Sequence, residues 1–84
     1  MSLIMVEYLF DPPITDDKWD EMAERVEPCL DERHATWVTS YLSLDRTRRV
    51  CVFEGKDAEA VRQAYRNAGV KFERVWTAEQ ITGD

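Results

Sequence analysis

Cys51 stands between two valines in the stretch Tyr41 to Gly55, YLSLDRTRRVCVFEG. A thiol acts as nucleophile or metal ligand only as the thiolate, so chemistry at Cys51 requires a neighbouring cation or histidine. Side chains alternate between the two faces of a strand, and the residues grouped with Cys51 on that basis are large and aromatic. They are Tyr8, Trp37, Tyr41, Phe53 and Trp76, with Arg74 as the cation of matching parity. In that company Cys51 would line a pocket or an interface. The plainer reading is a small buried hydrophobe, because free cysteine is among the most buried residue types.

Glu7 and Glu54 are acids inside apolar strand patterns, where a charge is costly unless it is paired or reaches the sheet edge. They share a parity, so strands placed side by side would bring two carboxylates together to hold a proton or a metal. Pairing with an arginine is the simpler alternative. His34, the one histidine, is the remaining metal-ligand candidate. Cys29 lies five residues before it, about 140° away around a helix and so not on the same face. No CxxC, HxxxH or HExxH spacing occurs, which argues against a zinc site built within one chain.

Composition removes several function classes. The net charge of −6 is the wrong sign for nucleic acid, whose phosphates are neutralised by clustered Lys and Arg. No apolar run is long enough to span a bilayer, and no secretory signal pattern is present, so a cytoplasmic address with free thiols is expected. Met1-Ser2-Leu3, with a second methionine at Met5, has the look of an expression scar and is given no functional meaning. The 84 residues fit one domain, 1–84, with a modest core that must be tight or be extended by a partner.

The elements that must position these residues are legible from periodicity. Ile4 to Phe10 reads as a strand stopped by Pro12 and Pro13. Thr15 caps a helix carrying Trp19, Met22, Ala23, Val26 and Leu30 at helical spacing, with a kink or break expected at an outward Pro28. Thr36 to Leu44 and Val50 to Phe53 form a hairpin around the turn Asp45 to Arg49, whose arginines read as keeping an edge soluble. Asp57 caps a second helix, Ala58 to Ala68, closed by Gly69, and Lys71 to Thr77 is a last strand. The order β-α-β-β-α-β predicts a ferredoxin-like α+β sandwich, a four-stranded antiparallel sheet with both helices on one face.

One sheet face would then be uncovered. The aliphatic set, Met5, Leu9, Val38, Val50, Val52 and Val75, is expected beneath the helices. The aromatic set, with Tyr8, Trp37, Tyr41, Cys51, Phe53, Arg74 and Trp76, is expected on the open face. Such a face is too apolar to stay in water, so a homodimer with the two sheets facing each other is expected.

The segments Val6-Glu7-x-x-Phe10-x-Pro12, Trp37-x-x-Ser40-Tyr41, Cys51-Val52-Phe53-Glu54, Glu59-Ala60-Val61-Arg62 and Arg66-x-Ala68-Gly69 together resemble the domain of unknown function 4242 family. The resemblance implies a small bacterial protein of ferredoxin-like fold that dimerises and is associated with nickel. Where many members carry a histidine, this chain has Gln63-Ala64-Tyr65.

Three functional expectations follow. The first is a dimer binding a small ligand or a metal ion, nickel by resemblance. The second, by analogy of fold alone, is a cofactor-free monooxygenase or isomerase acting on an aromatic substrate. Trp37, Tyr41 and Arg74 would then orient the substrate, with Glu7 or Glu54 as base. The third is a regulatory module with no small-molecule site.

Overall fold

A computed structural model describes residues 1–83. The chain runs β1 (Ser2–Leu9), α1 (Asp16–Glu32), β2 (Thr36–Leu42), β3 (Arg48–Gly55), α2 (Ala58–Ala68) and β4 (Arg74–Ala78). The sheet order is β2-β3-β1-β4 with every neighbour antiparallel, the ferredoxin-like arrangement that the element order predicts. No helix among the described residues is long and apolar enough to cross a membrane.

The caps form where the sequence places them. Thr15 Oγ1 accepts from the Lys18 amide at 3.3 Å and Asp57 Oδ1 from the Ala60 amide at 2.8 Å. These bonds satisfy amides that the first helical turn leaves unpaired. Gly69 closes α2 with φ +69°, a left-handed conformation that costs a residue with a Cβ. α1 continues through Pro28, which is exposed. In the β2–β3 turn Asp45 accepts from Ser43 Oγ at 2.7 Å and from Thr47 Oγ1 at 2.7 Å, and these bonds hold its carboxyl down at a pKa of about 2.

The face assignment is reversed for β1, β3 and Trp37, whereas Val75 faces the helices and Tyr41, Arg74 and Trp76 face the open side as expected. Ile4, Val6 and Tyr8 of β1, Cys51 and Phe53 of β3 and Val75 of β4 point at the helices, each at most 4% exposed. Tyr8, Cys51 and Phe53 are therefore core-facing. The reason lies in the helices. Along α2 the buried stripe is Ala58, Val61 and Ala64, whose small side chains leave volume for large ones from the sheet. Trp19 of α1 and Tyr65 of α2 complete this layer, with Tyr8 at its centre: its ring meets Trp19 edge-on at 5.2 Å and stacks on Phe10 at 5.7 Å.

Two further corrections concern phase. Val75 pairs with Val6, so Arg74 and Trp76 of β4 face the opposite way from Tyr8 and Cys51. In β2 the register shifts between Trp37 and Thr39. This bulge turns Ser40 toward Cys51 and leaves Tyr41 paired with Val50 on the uncovered side. The open face thus carries Met5, Val50, Val52, Tyr41 and Trp76, with Glu7, Arg74 and Glu54 among them.

Candidate ligand-binding cleft

α1 packs mainly against α2 and much less on the strands. One strut between the helices is Arg25, whose guanidinium donates to the Ala68 and Gly69 carbonyls at 3.1 Å each. Because α1 stands off the sheet, a cleft of about 540 Å³ opens between it and the β2–β3 side. That volume is ordinary for a small-molecule site. Tyr8, Cys51 and Phe53 form the floor with Tyr65, while Trp19, Ala23, Val26 and Leu30 of α1 form the opposite wall. Exposed Asp20, Glu27 and Asp31 stand along the mouth with Trp37, which is 61% exposed.

Arg49 is the cation of this cleft. It pairs with Tyr8 across β1–β3, so it shares the face of Cys51 and Phe53 rather than belonging to the turn. Its guanidinium carbon lies 3.5 Å from the centroid of the Trp19 ring, a stacked cation–π contact. Its Nε is the one buried side-chain nitrogen or oxygen among the described residues without a hydrogen-bond partner. No carboxylate among the described residues forms an ion pair with it. A buried donor left unmade costs about 1–3 kcal/mol, so the arrangement favours an acceptor arriving from outside.

Two phenols and a thiol stand beside it. The Tyr8 hydroxyl donates to the Tyr65 hydroxyl in a short, buried bond. Burial, the largest cause, pushes both phenols above the ordinary tyrosine value, with Arg49 acting in the opposite sense. Both stay neutral at physiological pH. Ser40 Oγ accepts from Trp37 Nε1 at 2.8 Å and donates to Cys51 Sγ at 3.1 Å, linking the mouth to the floor.

The expected site residues divide between two places. Tyr8, Trp37, Cys51 and Phe53 do converge, but under α1 instead of on the open face. Tyr41, Arg74 and Trp76 lie on the open face, where Trp76 Nε1 donates to Glu7 Oε2 at 2.6 Å and Arg74 Nε approaches the same oxygen at 3.9 Å. Glu54 pairs with Leu3 while Glu7 pairs with Val50. The two acids share a face, yet four residues of strand separate them, about 13 Å. They cannot share a proton or a metal, which corrects the expectation of a carboxylate pair.

Sequence reading missed Arg49, Trp19 and Tyr65 as site residues. The signal for Arg49 was present in the parity of Arg49, Cys51 and Phe53. Ending the turn at Arg49 instead of Thr47 hid it.

Metal donors are scattered. His34 is exposed in the turn after α1, with φ +57°, and Cys29 is half-buried. No group of three or more His, Cys, Asp and Glu side chains able to hold a metal ion exists among the described residues. A nickel site assembled within one chain does not fit this donor set.

Comparison with known proteins agrees with the architecture. The crystal structure of SCO4226 from Streptomyces coelicolor A3(2) matches with a TM-score of 0.81 at 17% identity, covering 96% of this chain and 100% of that chain. At that identity the likeness establishes the fold. No curated protein matches the chain. Residues 5–77 match the family model described as nickel responsive protein SCO4226-like. That description carries the nickel association which the resemblance implied, under a different family name. With nearly the whole chain matched, this protein belongs to the SCO4226-like family of nickel responsive proteins.

Proposed function

We propose that this chain is a small binding protein that holds an organic ligand in the cleft between α1 and the β2–β3 side of the sheet. The observation that carries the reading is Arg49, a stacked guanidinium with an unpartnered, buried Nε inside an aromatic-walled cleft. Natural proteins seldom leave a guanidinium without acceptors, and a ligand acceptor on the accessible part of the Arg49 guanidinium would supply one. Nickel, which the family's description names, finds no donor set among the described residues of one chain, so it is not routed through the cleft.

Native mass spectrometry of freshly purified protein tests this directly. The expected spectrum contains an organic adduct that disappears in Ala23→Phe, a substitution that fills the cleft from the α1 wall. A nickel ion as the sole adduct, or an organic adduct unchanged in Ala23→Phe, contradicts the reading.

The uncovered sheet face supports a second proposal, that two copies pair through it. Met5, Val50 and Val52 surround the Glu7–Trp76 bond on that face, Tyr41 is 67% exposed and Trp76 43%. The cleft lies on the other side of the sheet, so the pairing would leave its mouth free.

A further inference from the structure

We infer that the cleft selects a flat, apolar molecule bearing a single carboxylate, seated with that carboxylate on Arg49. This deepens the proposed function and rests on the cleft being the ligand site. A guanidinium is a planar fork of donors matched to a carboxylate, and the half-buried Arg49, with no counter-ion, gains from a charged acceptor. Trp19 already lies against one side of the Arg49 guanidinium, 3.5 Å from ring centroid to Cζ, which leaves its N–H edge to meet the ligand. The Tyr8 hydroxyl donates to the Tyr65 oxygen, so the Tyr65 hydroxyl has its own proton to offer a second acceptor.

The walls set the remaining chemistry. Trp19, Phe53 and Trp37 offer ring surfaces to an apolar body. Asp20, Glu27 and Asp31 along the mouth, on a chain of net charge −6, oppose the entry of a second negative charge. A phosphate ester, carrying nearly two charges, meets that opposition in full. A neutral amide of the same shape avoids it but gives up the charge-assisted bond.

Calorimetry on the full chain with 1-naphthoate, 1-naphthamide and 1-naphthyl phosphate tests the inference. The carboxylate is expected to bind at least about tenfold tighter than either analogue, the margin of one charge-assisted bond. Arg49→Gln should erase that margin and Arg49→Lys should retain part of it. Equal affinity for the amide would overturn the selection of charge while leaving the cleft as a site for flat molecules. Preference for the phosphate would overturn the single-charge claim. Heat from none of the three would overturn the inference, whereas the adduct lost in Ala23→Phe decides separately whether the cleft is a site at all. Should Arg49→Gln not fold, the comparison of carboxylate with amide on the native chain carries the decision.

Discussion

The guanidinium carbon of Arg49 lies 3.5 Å from the centre of the Trp19 ring, fastening a cation of the central sheet to a helix of the other layer. Trp19 also meets Tyr8 and Phe10 edge-on. Trp19→Leu should therefore cost more than its lost area. Stacking and cation–π terms together predict a fall of about 2–3 kcal/mol. Urea unfolding should show a lower midpoint at an unchanged slope; a loss under about 0.5 kcal/mol would mean that the stack holds nothing together.

The Tyr8 and Tyr65 hydroxyls bond to each other at the floor of the cleft, so losing one partner strands the other. Tyr8→Phe and Tyr65→Phe should each destabilise by about 1–2 kcal/mol, and the double substitution by clearly less than the sum. Strict additivity in that cycle would show that the two hydroxyls do not depend on each other.

The same pair fixes the behaviour at high pH. Both phenols have folded-state pKa values raised by burial, so their contribution is fully present below the unfolded value near pH 10 and is lost as pH rises beyond it. Above pH 10 the unfolded chain sheds protons that the folded chain keeps. Stability should fall by about 1.4 kcal/mol per pH unit for each buried phenol. Denaturant titrations between pH 9 and 12 should show a shallower decline in the double Phe variant.

On the open face, Tyr41 is exposed and pairs with Val50, so a charge there disturbs a subunit contact more than the chain's own core. Sedimentation velocity should find a dimer for the native chain and a monomer for Tyr41→Asp, with matching circular dichroism. A native monomer at tens of micromolar would remove the pairing.

Gly69→Ala places a Cβ at φ +69°, where it also meets Arg25 Nη2 at 3.1 Å. The strain of a left-handed residue predicts a loss of about 1–2 kcal/mol, measured as a lower melting temperature. Nη2 is the flexible end of the Arg25 side chain and can yield, so the backbone supplies most of the cost.

How much of this was legible in the sequence differs by scale. Helix stripes, the Thr15 and Asp57 caps and Gly69 marked both helices, because those signals are local. The faces of the sheet were not legible, because they depend on what the helices bring. The small stripe of α2, Ala58, Val61 and Ala64, asks for large partners, and it draws Tyr8 and Phe53 inward. The bulge between Trp37 and Thr39 has no mark in the residues themselves, yet it inverts the phase of half a strand. Arg49 was hidden by a single boundary, since β3 begins at Arg48 and not at Val50.

Under the proposed function, ligands enter beneath α1 and meet Arg49. Titrating the ¹⁵N-labelled chain with 1-naphthoate and following amide and indole shifts tests it most directly. The largest changes are expected on the Trp19 and Trp37 indole N–H groups and on the amides of Arg49 and Cys51, with Met5, Glu7 and Val52 unmoved. Changes concentrated on Met5, Glu7, Val52 and Trp76, with the cleft silent, would contradict it.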